Sequence, residues 1–331
     1  VSEDFASLVD LASARLGGRV LFANDEFFAS RHNLLKREDP VSIPDKFTKN
    51  GKWMDGWESR RKRGPGHDWC VIELGRRGVV RGVDIDTSFF TGNFPEKASI
   101  EACDVTTAVS PRTVDKLPWS SILSPVQLMG NAHNRFAIGI HRAVTHLRFH
   151  IYPDGGVARL RVYGEVSVDW KKKSKGLVDL AAIENGGRAL LASDEHFGAR
   201  NNLLLPGRAP NMGEGWESRR RRGPGHDWVV IRLGAPGHIE TVEIDTNHFK
   251  GNYPDRAALE GAYAPTATPD DFANHRVTFA PLLPEQKLRP HRRHLFSKGL
   301  ARHDAVTHVR MKIFPDGGVS RLRLHGRPRL A

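Results

Sequence analysis

The strongest constraint on this chain is that it is written twice. Residues 56–69, GWESRRKRGPGHDW, return at 215–228 as GWESRRRRGPGHDW, 159 positions on and with one difference. The same spacing carries IDTSFFTGNFP (85–95) onto IDTNHFKGNYP (244–254). AVTHLRFHIYPDGGVARLRVYG (143–164) recurs as AVTHVRMKIFPDGGVSRLRLHG (305–326), 162 positions on. NDEFFASRHNLL (24–35) recurs as SDEHFGARNNLL (193–204), 169 positions on, so the first copy holds ten extra residues within 36–54. A duplicated chain of 331 residues is expected to fold as two like units, each with its own core. The basic stretch DWKKKSKG predicts the boundary: residues 1–168, a linker at 169–176, and residues 177–331.

Each copy reads mainly as β. Trp69 opens a strand candidate that runs to Leu74 and is closed by Gly75. Over 79–86, Val79, Arg81, Val83 and Ile85 alternate with Val80, Gly82, Asp84 and Asp86, as in a strand with unlike faces. Over 145–152, Leu147, Phe149 and Ile151 alternate with His146, Arg148 and His150, which predicts a half-buried antiparallel strand with the histidines on its polar face. Pro153-Asp154-Gly155-Gly156 then predicts a tight hairpin turn into a strand over 157–163, with Asp154 and its twin Asp316 as turn residues. Helix is expected only in short stretches around 5–15 and 25–30. Regular short strands with turn punctuation suggest two tandem jelly-roll β-sandwiches. A Trp-led strand ending in Leu74-Gly75, with a late strand closing on Tyr163-Gly164, resembles the galactose-binding-like class of that fold.

With 39% hydrophobic and 27% charged residues the chain reads as soluble and globular, and no apolar run approaches the length of a membrane span. Residues 1–18 mix Glu3, Asp4, Asp10 and Arg15 among apolar positions, unlike a secretory signal, so the cytosol is the expected compartment. Cys70 and Cys103 align with Val229 and Ala262 in the second copy and are expected to be reduced, buried and apolar in role. The net charge of +12 favours an anionic partner without saying which.

The block least changed between the copies is the first place to look for chemistry. Arg60 and Arg61, with twins Arg219 and Arg220, are suited to a carboxylate, because a guanidinium fork meets it in two parallel hydrogen bonds; a solvated basic loop is the plainer reading. His67-Asp68 and His226-Asp227 pair an imidazole with a carboxylate, a combination able to act as general acid or base. Asp86 and Asp245 fall at a strand end, as bases or hydrogen-bond acceptors. Asn93 and Asn252 follow, as amide readers or as members of a Gly-Asn turn. Glu58 and Glu101, with twins Glu217 and Glu260, are weaker candidates. A metal pair at His146 and His150 fails, since Lys312 stands at the second position in the other copy. With no HExxH or CxxC spacing, no metal or cofactor is expected.

DGWESRRKRGPGHDW followed by IDTSFFTGNFP, each occurring twice, resembles the allantoicase family, and the likeness covers about residues 16–326. The resemblance implies hydrolysis of allantoate to ureidoglycolate and urea in purine degradation through allantoin. It also implies paired jelly rolls assembled into a homo-oligomer. Allantoate is a small anion with two ureido groups on the carbon beside its carboxylate. A site for it needs cations for the carboxylate, amide readers for the ureas, an acid for the departing nitrogen and a base for water. On that reading Arg60 and Arg61 bind the carboxylate, His67 or Asp68 and Asp86 move protons, and Asn93 reads a ureido group, with the second-copy twins in the same roles. A nucleic-acid binder would set 60–63 and 219–222 on phosphates, but the fixed Glu-Ser and Gly-Pro-Gly-His-Asp context is not needed for that. A sugar-binding module finds little support in 8% aromatic residues and no secretion signal. No nucleic-acid or membrane partner is expected.

Overall fold

The computed structural model describes residues 5–173 and 176–329. The chain divides into two compact units, Val1–Ser167 and Val168–Ala331. Of the basic stretch 169–176, Trp170–Lys173 forms one helical turn, while 174 and 175 lie outside the described residues. No helix among the described residues is long and apolar enough to cross a membrane.

The first unit is built on strands β1 (Val9–Asp10), β2 (Arg19–Ala23), β3 (Phe47–Thr48), β4 (Gly51–Lys52), β5 (Trp57–Glu58), β6 (Asp68–Asp86), β7 (Lys97–Cys103), β8 (Ser120–Gln127), β9 (His133–Ala137), β10 (Val144–Tyr152), β11 (Gly156–Val157) and β12 (Arg159–Val166). The two strands expected on either side of Gly75 are one strand of 19 residues. Its first half pairs with β2 and β10, and its second half with β9 and β12. Strand β7 continues the first layer beyond β10 to β8, and β1 edges the second layer beside β12. One core holds Cys70 and Ile72 from the first half of β6 with Val83 and Ile85 from the second, so the two halves line the same interior from two layers.

Gly75 is the bend, not the end. The β6–β10 ladder is regular to the pair Glu73–His146 and resumes irregularly at Gly78–Val144. A β-carbon on Gly75 would lie 2.6 Å from the carbonyl carbon of Leu16, and one on its twin Gly234 would lie 1.8 Å from the oxygen of Asn185. Only glycine lets the preceding loop cross the long strand so closely.

The PDGG segment is not a hairpin turn. Strands β10 and β12 are separated by β6 and do not pair, so residues 153–158 carry the chain from one layer to the other across it. Local turn chemistry looks alike in both cases, which is why the sequence pattern misled. The expected helices are also corrected: Phe5–Ser7 and Ala14–Leu16 are single 3-10 turns around β1, residues 25–30 are irregular, and a 3-10 turn follows at Arg31–Leu35. Asp25 holds that irregular stretch, its carboxylate accepting Phe27 N at 3.0 Å. His146 and His308 are buried rather than on a polar face, because β10 lies between β6 and β7.

The second unit repeats this plan with β13 (Val178–Asp179), β14 (Arg188–Ala192), β15 (Trp216–Glu217), β16 (Asp227–Asp245), β17 (Arg256–Ala262), β18 (Ala280–Lys287), β19 (Arg293–Phe296), β20 (Val306–Phe314), β21 (Gly318–Val319) and β22 (Arg321–Pro328). The order β13-β22-β16-β20-β17-β18 matches β1-β12-β6-β10-β7-β8. Among its described residues it has no counterpart of β3–β4. Both cysteines are buried and free, and burial pushes both thiols up, Cys103 to about 11. They behave as core residues.

Candidate functional site

In each unit three connections close around a cleft. In the first they are 59–62 after β5, 92–94 between β6 and β7, and 153–155 between β10 and β11. Backbone contacts lock them together. Ser59 N donates to Gly155 O at 3.1 Å and Gly156 N to Asn93 O at 2.7 Å. Lys62 N donates to Asp154 Oδ2 at 2.7 Å. The second glycine of PDGG is needed for packing, since a β-carbon on Gly156 would lie 1.9 Å from the buried Phe90 ring. Trp57, fully buried, anchors the first connection by donating its indole N–H to Asp25 O at 2.8 Å.

The cleft of about 490 Å³ is lined by Phe28, Glu58, Ser59, Arg61, Lys62, Gly92, Asn93, Phe94, Glu96, Pro153, Asp154 and Gly155. The second unit has a cleft of about 570 Å³ lined by Phe197, Glu217, Ser218, Arg220, Arg221, Gly251, Asn252, Tyr253, Asp255, Pro315, Asp316 and Gly317. These are the same twelve positions of the repeat. Nine are identical, and the exchanges Lys62/Arg221, Phe94/Tyr253 and Glu96/Asp255 keep charge or ring.

At the centre is a carboxylate–amide pair. Asn93 Nδ2 donates to Glu58 Oε1 at 2.6 Å, and Asn252 Nδ2 donates to Glu217 Oε1. Glu58 is 8% exposed, and burial raises its carboxyl pKa against the opposing hydrogen bond from Asn93. Such a group exchanges protons closer to neutrality than an ordinary glutamate. Facing it, Arg61 and Arg220 are exposed and make no hydrogen bond or ion pair to any described residue. A free fork beside a buried carboxyl can hold an anion while the carboxyl handles a proton.

Of the residues expected from sequence, Arg61 and Asn93, with Arg220 and Asn252, line the clefts, as do the weaker candidates Glu58 and Glu217. The others do not. Arg60 is tied to Asp25, Nε to Oδ2 at 2.7 Å, and lies over Phe27; Arg219 is tied to Asp194 at 2.9 Å. Asp68 is buried behind the cleft, 2.7 Å from Lys62 Nζ, and Asp227 likewise pairs with Arg221. Asp86 and Asp245 are buried turn caps, accepting Ser88 N at 2.8 Å and Asn247 N at 2.9 Å. They lead into the turn that sets Phe90 and, beyond it, Asn93.

His67 belongs to a separate chain of contacts. Its Nε2 lies 2.9 Å from His150 Nδ1, and His150 Nε2 lies 3.0 Å from Glu101 Oε2. Burial lowers both imidazole pKa values, whereas Glu101, opposed by its own burial, is held low by Arg148 and His150. In the second unit Lys312 and Arg310 take Glu260, and His226 instead packs 5.0 Å from Phe314. Glu58 is a weak candidate in the sequence, and Asp154 reads there as a turn residue. Ser59, Lys62 and Glu96 carried no signal beyond their agreement with the second copy. Among the described residues no group of three or more His, Cys, Asp or Glu is arranged to hold a metal.

Comparisons with known proteins agree with one another. The allantoicase-repeat family model matches residues 9–167 and again 178–329. A probable allantoicase 1 from Burkholderia mallei is 52% identical over 319 residues, 96% of this chain and 94% of its own. A probable allantoicase from Photobacterium profundum is 50% identical over 98% of this chain and 97% of its own. The crystal structure of allantoicase from Saccharomyces cerevisiae superposes with a TM-score of 0.82 at 34% identity, covering 98% of this chain and 96% of that one.

Proposed function

The chain belongs to the allantoicase family, and from that premise we infer that it hydrolyses allantoate to ureidoglycolate and urea in purine degradation through allantoin. We propose that the two Glu–Asn clefts are its substrate sites. The observation that carries this reading is the agreement of twelve lining positions between two copies that have otherwise diverged.

In the first cleft Arg61 holds the substrate carboxylate through paired hydrogen bonds, with Lys62, its ammonium held by Asp68, beside it. Asn93 orients Glu58 and offers its amide to a ureido group. Protonated Glu58 gives its proton to the ureido nitrogen as the bond from that nitrogen to the central carbon breaks, releasing urea. Water then adds to the same carbon and returns a proton to the Glu58 carboxylate. One water is consumed, one C–N bond breaks, one C–O bond forms, and Glu58 ends as it began. Asp68, Arg60 and Asp86 act as positioning residues through Lys62, Asp25 and the 86–90 turn, and His67 anchors the loop that carries Arg61 and Lys62. Glu217, Arg220, Arg221 and Asn252 take these roles in the second cleft, with Arg219, His226, Asp227 and Asp245 behind them. The buried, unpaired thiols suit a reducing cytosol, and a homo-oligomer is the proposed assembly, to be read by light scattering.

The test is an end-point assay with allantoate. Equal amounts of urea and ureidoglycolate are expected. The Arg61→Ala, Arg220→Ala double variant should lose at least about 100-fold in kcat/KM, the scale of losing a charge-assisted bidentate contact to a substrate anion. Full activity in that variant would overturn the cleft assignment; ammonia in place of urea would overturn the reaction.

A further inference from the structure

The ten residues by which the first repeat exceeds the second fall in a stretch that folds as a hairpin beside its cleft. Strands β3 and β4 pair as a short hairpin, closed by Trp53 N donating to Lys46 O at 2.9 Å, with the Lys46 ammonium 4.0 Å above the Trp53 ring. The hairpin is tethered next to the cleft. Asn50 Nδ2 donates to the Phe27 carbonyl at 2.6 Å, and a β-carbon on Gly51 would lie 3.6 Å from the ring of Phe28, which lines the cleft. Phe28 is half-buried as a result. Its twin Phe197, at the mouth of the second cleft, is 62% exposed. The surroundings of the clefts differ again one step on: the position of Trp53 is taken by Met212, whose sulfur lies 3.4 Å from Asn252 Nδ2.

We propose that this hairpin sets ligand affinity in the first cleft and so makes the two clefts of one chain unequal, the first binding a ureido-carboxylate anion more tightly than the second. The inference rests on the clefts being the substrate sites. A ring already held in place gives up little freedom when a ligand closes on it, whereas the more exposed Phe197 gives up more. Ordering one or two such side chains corresponds to about a 3- to 10-fold difference in Kd.

The probe is N-carbamoylglycine, which offers a carboxylate and one ureido group but no second ureido to leave, titrated calorimetrically into the full chain. Two classes of site per chain are expected, about 3- to 10-fold apart in Kd. Arg61→Ala should remove the tighter class and Arg220→Ala the weaker. Asn50→Ala cuts the tether without touching a lining residue, and should weaken the tighter class to within about twofold of the weaker, leaving the weaker unchanged. Shortening 36–54 to the length of the second repeat should do the same. Equal sites in the parent protein, or an Asn50→Ala variant that keeps its tight class, would overturn the hairpin's role. Binding indifferent to both arginine substitutions would overturn the cleft assignment itself, and the hairpin's role with it.

Discussion

Replacing Glu58 and Glu217 together by glutamine removes the proposed proton carrier while leaving almost every contact in place. The side chain keeps its length and an oxygen for the amide N–H of Asn93, 2.6 Å away in the first cleft. Two opposing changes in stability follow. The hydrogen bond goes from charged to neutral and weakens by about 1 kcal/mol. The desolvation that raises the Glu58 pKa disappears with the charge, and returns a similar amount. The fold should therefore melt within a few degrees of the parent. Catalysis should not survive as well: a positioned acid–base group is worth roughly 10²- to 10⁴-fold, and glutamine has no proton to give. Urea release at saturating allantoate should fall by that factor in the double variant. The single variants carry further information. If the clefts turn over independently and at similar rates, Glu58→Gln alone should keep about half of kcat; loss of nearly all activity would mean that the two sites work as one unit. Because burial raises the Glu58 pKa, the proton-donating form persists to higher pH than an ordinary glutamate allows, and activity should fall as pH climbs through that raised value. A double variant that retains more than about a tenth of parental kcat/KM would refute the assignment of Glu58 and Glu217.

Two further outcomes follow from groups outside the clefts. Arg159 is 1% exposed, with Nη2 2.7 Å from Asp55 Oδ2 and Nη1 2.9 Å from Asp55 O; Arg159→Met should lower the first unit's melting transition by roughly 10 °C and spare the second, read by differential scanning calorimetry. His308 is 2% exposed and its pKa is pushed down to about 4 by burial and by Arg232, so it stays neutral in the fold while an unfolded imidazole titrates near 6.5. Stability is then lost as pH falls from about 6.5 towards 4, up to about 3 kcal/mol, and His308→Gln should flatten this part of the second unit's melting profile. An unchanged acid slope would show that His308 is not the group responsible.

The duplication made the two-unit plan legible, because self-similarity needs no knowledge of contacts. Strand positions were mostly legible too, since alternation over 79–86 and 145–152 reports a pleated surface. Pairing was not. Gly75 reads as a stop because glycine weakens a strand, yet what it supplies here is room for the Leu16 backbone to cross a continuous one. PDGG reads as a hairpin because its turn residues would serve one equally well. Only the ladder partners of β6 reveal that the segment joins two layers. These are non-local facts, and a window of sequence contains none of them.

The site was half legible for a related reason. Arginine, histidine and aspartate draw attention by their chemistry, but chemistry alone does not say which way a side chain faces. Arg60 and Arg61 are neighbours of one kind, yet Asp25 takes the first away and leaves the second free at the cleft. Asp68 and Asp86 lie outside the cleft lining, buried at 1% and 2% exposure, the first beside Lys62 Nζ and the second accepting the Ser88 N–H. Glu58 looked weak beside them, since a lone glutamate next to a tryptophan has no motif. The more discriminating signal was the pattern of exchange between the copies. At the twelve cleft positions the copies differ only by Lys for Arg, Phe for Tyr and Glu for Asp. At the His67 relay the exchange is His150 for Lys312, which no shared proton path would survive. A second copy thus tests candidates in one direction within one chain: an exchange such as His150 for Lys312 rules out a shared role, whereas identity, as at Arg60 and Arg219 or Asp68 and Asp227, is common to cleft residues and to those behind them.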